Sequence, residues 1–158
     1  MKGLSKSGPF TIHHPSGVST TVFDASVKYK DDKVPLVVIA GENFGRGSAR
    51  DWATKGPYLL GVRAVLAISF SPVFKHNMIK TGLLPIEIKA ETYKSLTGHE
   101  LFEIKLDLDD ADTKRDVEIV INDGEAVLHG EHLLLNAYDV KLFQSGGVIR
   151  HTLNGLLK

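Results

Sequence analysis

Between Val34 and Trp52 the sequence reads VPLVVIAGENFGRGSARDW. An apolar run gives way without a spacer to a loop carrying Gly41, Gly45 and Gly47, and a helical pattern follows. An apolar run with no polar alternation suits a strand covered on both faces, so Val34 to Ala40 is expected to be a central strand. The loop that leaves it must then lie at the carboxyl end of a buried sheet, where open α/β sheets place their ligands.

The segments that follow extend this pattern. Ala49 to Leu60 reads as a helix with a kink or early end near Gly56-Pro57, and Gly61 is its stop signal. Val62 to Phe70 (VRAVLAISF) reads as a second buried strand, Pro72 to Lys80 as a short helix stopped by Gly82, and Leu83 to Ile88 as a third strand. Strands joined by helical crossovers favour parallel pairing. The last third changes period. LFEIKLDL (Leu101 to Leu108) and DVEIVI (Asp116 to Ile121) alternate every second residue, and Asn122-Asp123-Gly124 is a tight-hairpin signal before EAVLHG. Asn136 to Leu157 reads as one or two closing helices broken at Gly146-Gly147. At the other end, His13 to Gly17 reads as a turn and Thr20 to Phe23 as a short strand. With 158 residues, 42% of them hydrophobic, residues 1–158 are expected to form one α/β domain: a mainly parallel core sheet, an antiparallel C-terminal meander and a closing helix.

Nineteen basic residues balance nineteen acidic ones. No global field exists to gather nucleic acid or an anionic membrane, so any anion site must be local. The absence of cysteine rules out disulfides and any thiolate-held zinc or iron–sulfur cluster owned by this chain alone. Seven histidines include no pair at the spacing of a zinc-binding H-E-x-x-H helix. His129 and His132, flanking Gly130-Glu131, are expected to be solvent-exposed or hydrogen-bonded rather than metal ligands. The N-terminal MKGLSKSGPF lacks the pattern of a secretory or transit peptide and no segment is long enough to cross a bilayer, so a cytoplasmic location is expected.

The loop itself suits a small anion. Backbone amides at a helix start point outward and the helix dipole favours negative charge there. Gly45 and Gly47 would let a ligand approach the main chain, and Arg50 in the first turn would offer a bidentate clamp to a carboxylate or phosphate. The P-loop ending Gly-Lys-Ser/Thr is missing, and Arg50 stands where a dinucleotide fingerprint needs its third glycine. A purely structural alternative stays open: Ser48-Ala49-Arg50-Asp51 matches a capping box, which would make Ser48 an N-cap and Arg50 a surface residue.

The stretch Gly41 to Pro57 closely resembles the swivelling-domain signature of the aconitase superfamily, G-x-x-[FY]-G-x-G-S-S-R followed by D-W-A. The likeness extends upstream through HHPSG, VFDAS and VPLVVIAG, and downstream through LLGVRAVLAISF, Asn77, Gly82, Leu84-Pro85 and FQSGGVIRHTL. It implies a β/β/α swivelling domain that closes over a [4Fe-4S] cluster held by cysteines on a large subunit or on another domain. There a hydroxy di- or tricarboxylic acid is dehydrated and rehydrated. The resemblance assigns Ser48 the role of base toward a carbon-bound proton, Arg50 the grip on a substrate carboxylate, and Gly45, Gly47 and Ala49 the backbone around the substrate. It implies no cofactor on this chain and no activity without the cluster-bearing partner. The D-W-A-x-K-G context resembles aconitases and methylcitrate-type relatives more than isopropylmalate small subunits, so a tricarboxylate such as citrate or isocitrate is expected.

The sequence departs from the family pattern at three places. Ala49 replaces the second serine, Pro72-Val73-Phe74 stands where the family has R-I-H, and the upstream segment bearing another substrate-binding arginine and an Asp-His-Ile-Ser motif is not in this sequence. These departures keep a second expectation alive: a stand-alone, catalytically silent module that binds a partner protein or small acid. RNA binding, known in some aconitases, is disfavoured by the zero net charge. Phe44 and Trp52 are expected to be packing residues, His13 and His14 structural turn residues, and Lys75 and His76 solvated surface near the site entrance.

Overall fold

In the computed structural model, which describes residues 8–47, 51–108 and 115–157, the apolar runs assemble into one six-stranded mixed sheet beside a small hairpin. The elements follow as β1 (Phe10–His13), β2 (Val18–Thr21), α1 (Val22–Asp31), β3 (Leu36–Ala40), α2 (Trp52–Leu59), β4 (Val62–Ala67), α3 (Pro72–Thr81) and β5 (Leu84–Ile88). After them come α4 (Ala90–Ser95), β6 (Phe102–Lys105), β7 (Asp116–Ile121), β8 (Ala126–His132), α5 (Ala137–Gln144) and α6 (Val148–Leu156). The sheet order is β3-β4-β5-β8-β7-β6, and β1 pairs only with β2. Strands β3, β4 and β5 run parallel, and β8, β7 and β6 add an antiparallel meander. This is the expected α/β architecture.

Two apolar clusters cover opposite faces of the sheet. Ala64 and Leu66 of β4 join Ile86, Ile119, Leu134 and Val140, whereas Val65 and Ala67 join Phe70, Phe74, Met78 and Leu133. Strand β4 is therefore the buried centre of the parallel half. Strand β3 was expected there and instead lies at the sheet edge, paired only with β4. Its apolar run has a different cause: Val37 packs on one cluster while Leu36 and Val38 pack on the other. Periodicity reports how many faces are covered and not how many neighbours a strand has.

Three local expectations change. The β-branched run expected as a strand at Thr20 to Phe23 ends at Thr21, which caps α1. Its Oγ1 accepts from the Asp24 amide at 3.0 Å and donates to Asp24 Oδ2 at 2.7 Å, a reciprocal pairing legible as Thr-x-x-Asp. Helix α2 runs through Pro57 without ending at Gly56. The helix stops three residues later, with Gly61 at φ 100° and its amide donating to Tyr58 O, so only one bond, to Ala53 O, is lost. Asn122 to Gly124 form a 3-10 turn rather than a two-residue hairpin, because the Asn122 side chain is used twice. Its Oδ1 accepts from the Leu101 amide and its Nδ2 donates to Glu125. The remaining boundaries match the pattern: α3 ends at Gly82 (φ 88°), and the closing helices α5 and α6 break at Gly146-Gly147.

Candidate active-site loop

The loop Gly41 to Gly47 leaves the carboxyl end of β3 and is fastened to the segment that leaves β4. The Asn43 amide donates to Ser69 Oγ at 2.8 Å, the Phe44 amide to Ser69 O at 2.9 Å, and the Ser71 amide returns to Phe44 O at 2.9 Å. Phe44 and Phe70 thus form an isolated parallel bridge beyond the two strand ends. Beneath it, the Phe44 ring stands edge-on to Phe74 at 5.2 Å and to Phe70 at 6.4 Å. Phe44 is a packing residue, as expected.

This aromatic floor gives Gly45 a reason that the sequence did not show. A β-carbon there would fall 2.0 Å from Cγ of Phe74, and φ is 82°. The space beside its Cα is filled by Phe74, so its missing side chain serves packing. Gly47 differs: among the described residues nothing lies within 4 Å of the position a β-carbon would take, and the residue is exposed. Ser48, Ala49 and Arg50 lie outside the described residues, as does the capping box that would start at Ser48.

Immediately beyond them, Asp51 heads α2 with helical dihedrals and makes no side-chain capping bond. Its carboxylate takes Lys55 at 3.1 Å instead. Trp52, expected as a packing residue, is 70% exposed. The helix is held from below by Thr54, fully buried, whose Oγ1 lies 2.8 Å from Thr81 Oγ1 of α3 and 2.8 Å from Asp51 O. Lys75 is half-buried and His76 exposed on α3.

The histidines divide by environment. His13 is buried and its Nδ1 lies 2.9 Å from Ser16 Oγ within the predicted turn. His14 is exposed and meets His99, Nδ1 to Nδ1, at 3.2 Å. His129 and His132 sit within β8 rather than after it. The first is exposed, 3.6 Å from Asp116, and the second is fully buried, its Nδ1 accepting the Leu134 amide at 3.3 Å. Among the described residues no three histidine, aspartate or glutamate side chains gather as a metal would require. With no cysteine in the sequence either, the chain's own residues do not fit an iron–sulfur cluster. Among the described residues no helix is long and apolar enough to cross a membrane.

The loop at the end of β3, the parallel strands beside it and the head of α2 fall within residues 5–91, which match the family described as "Aconitase C-terminal domain". The match covers more than half of the chain. The chain belongs to the aconitase C-terminal domain family. Aconitate hydratase A of Bacillus subtilis is 38% identical to it across 96% of the chain. Iron-responsive element-binding protein 2 of Xenopus laevis is 38% identical across 95%, and phosphinomethylmalate isomerase of Streptomyces viridochromogenes 38% identical across 97%. These alignments take up only 16–17% of each relative, so the chain spans about a sixth of the length of the curated relatives it matches. Among solved structures, 3-isopropylmalate dehydratase (leuD) of Methanocaldococcus jannaschii superposes with a TM-score of 0.61 at 26% identity, over 87% of this chain and 80% of that one. In this aconitase C-terminal domain the sequence motif falls on the loop that leaves β3. What it did not reveal is a groove that begins at the head of α2 and is lined by Tyr58, Lys80 and Arg150 on three helices distant in sequence.

Proposed function

We propose that the chain is the swivelling part of an aconitase-type hydro-lyase, folded as a single domain over residues 1–158 and active only against a cluster-bearing large subunit or domain. The observation that carries this reading is the Gly41 to Gly47 loop, pinned at the carboxyl end of β3 and followed in the sequence by the head of α2, in a chain of this family. Ser48 is the base that takes a proton from the carbon beside a substrate carboxylate. Hydroxide leaves the neighbouring carbon and is protonated by groups of the partner. A serine hydroxyl is a weak base, so its alkoxide needs strong stabilisation. Backbone amides around Gly45 to Ser48, the Arg50 guanidinium and a pocket dried by closure are the proposed sources, with Gly45, Gly47 and Ala49 the backbone around the substrate. Arg50 holds a substrate carboxylate bidentately. The partner carries the [4Fe-4S] cluster, and no role assigned to this chain's residues passes through it. A hydroxy tricarboxylate such as citrate, isocitrate or methylcitrate is the substrate class, and the cytoplasm the compartment.

A catalytically silent module is favoured by one observation. Phe74, standing where the resemblance places a histidine, is buried under the loop at 7% exposure, so that position is apolar floor and not a polar site residue. One experiment separates the two readings. The tagged chain is purified from its own cells with whatever it binds, and anaerobic dehydration of citrate and methylcitrate is measured for the wild type and Ser48→Ala. A cysteine-bearing partner, with activity lost in the variant by about a thousand-fold, supports the hydro-lyase. A silent module would show no such partner and no dehydration.

A further inference from the structure

We infer that the groove between α2 and α6, floored by α3, is the surface on which the cluster-bearing body docks, and that its counterpart is an apolar ridge flanked by carboxylates. This rests on the hydro-lyase reading and names its interface. The groove encloses about 430 Å³ and starts at Asp51 and Trp52, the first residues after the Ser48 to Arg50 segment. A body seated here would therefore meet the residue that follows Arg50 in the sequence.

Helix α6 shows why the face needs cover. Ile149, Leu153 and Leu156 recur at i, i+4 and i+7 along one side of it, 64%, 51% and 77% exposed, and no α6 residue is buried. The opposite side is tied to α5 through His151, 3.0 Å from Ser145 Oγ and edge-on to Tyr138. A nine-residue helix containing Asn154 and Gly155, with its apolar stripe in water, is weakly supported by its own propensity. Across the groove, α2 presents Trp52 and Leu59, 70% and 59% exposed. Exposed tryptophan and leucine facing exposed isoleucine make a contiguous apolar patch, of the kind that marks an interaction site.

The charge around the patch specifies the partner. Lys55 is neutralised by Asp51, whereas Lys80 and Arg150 line the groove with no ion pair among the described residues. Carboxylates flanking an apolar ridge complement that rim. Trp52, Tyr58 and Arg150 also supply the three residue types that dominate interface energetics. The base of the groove is closely packed: a β-carbon at Gly147 would fall 2.7 Å from Lys80 O, and one at Gly82 would fall 2.6 Å from the Gly146 carbonyl carbon, so α3 and the α5–α6 turn meet backbone to backbone.

The test places a photo-crosslinking benzoylphenylalanine at Ile149, or at Leu101 next to β6 on the far edge strand, in the tagged full chain in its own cells. A parallel co-purification compares wild type with Ile149→Glu/Leu153→Glu and Lys80→Glu/Arg150→Glu. Docking on this face predicts an Ile149 cross-link to the cysteine-bearing aconitase-type chain. Both double variants are expected to lose co-purified partner by about ten-fold or more. Their thermal unfolding should match wild type, because all four side chains are exposed. A cross-link to a second copy of the chain overturns the proposal, as does capture of the partner from Leu101 but not Ile149, or undiminished co-purification of the glutamate variants. If partner and dehydration are present while Ile149 is silent, the docking face alone falls. If no cysteine-bearing partner is recovered at all, the hydro-lyase reading falls with it.

Discussion

Gly45 and Phe74 are fitted so closely that a β-carbon on the glycine would stand 2.0 Å from Cγ of the ring, 2.4 Å from Cβ and 2.4 Å from Cδ1. The ring cannot yield freely, since it is buried and edge-on to Phe44. The positive φ of 82° adds backbone strain for any other residue. Gly45→Ala is expected to cost about 2–4 kcal/mol of stability in urea unfolding. Gly47→Ala, where no described atom would meet the β-carbon, is expected to cost under about 1 kcal/mol and, on the proposed hydro-lyase reading, to lower activity of the assembled protein instead. Equal destabilisation by the two substitutions would remove the distinction drawn between floor and approach.

Helices α2 and α3 are joined by Thr54 and Thr81, whose hydroxyl oxygens lie 2.8 Å apart in a fully buried contact for Thr54. Two hydroxyl protons serve three contacts, the others being Thr54 to Asp51 O and Thr81 to Asn77 O. Thr54→Val preserves shape and removes one proton and one acceptor, so chemical denaturation should show a loss of about 1–2 kcal/mol. The exposed Thr152→Val, which removes a bond to Val148 O, should fall within about 0.5 kcal/mol of wild type.

Glu100 closes the turn before β6. Burial pushes its carboxyl up, but the Thr97 amide and hydroxyl and the Gly98 amide, at 2.6, 2.7 and 2.8 Å, outweigh that and lower it from 4.5 to about 2. A depressed folded value means stability present above pH 4.5 that fades as pH falls toward about 2. Because the group is largely solvated, Glu100→Gln should cost only about 1 kcal/mol at pH 7 after allowance for screening. The gap between variant and wild type should narrow steadily in unfolding curves taken from pH 5 down to about pH 2.5. A gap independent of pH would show that the carboxylate's charge is not what the turn uses.

Arg50→Lys tests the proposed carboxylate clamp in the proposed assembled hydro-lyase. Lysine keeps the charge and loses the planar fork, so KM should rise by about ten-fold or more with a smaller change in kcat. Unchanged KM would return Arg50 to the role of a surface residue.

The order of strands and helices from β3 to β5, the antiparallel meander and the broken closing helix were legible because each depends on local signals. Apolar runs, glycine stops and period-two alternation act over a few residues. The start of α1 was also written locally, in Thr21-Val22-Phe23-Asp24, but a β-branched run carries the strand signal equally well, and only the formed hydrogen bonds decide between them.

The loop of the candidate site was likewise visible in its glycines and in its likeness to the aconitase family. Its internal division was not. That Gly45 has no room for a side chain depends on a residue 29 positions away in sequence, brought beneath it by the parallel pairing of β3 and β4. The edge position of β3 and the groove between α2 and α6 arise in the same way. One-dimensional pattern encodes which faces of an element avoid water, because burial is a property of each residue's surroundings averaged over its neighbours. Which elements supply that cover, and which apolar faces are left without it, is settled only when distant segments compete for the same space in three dimensions.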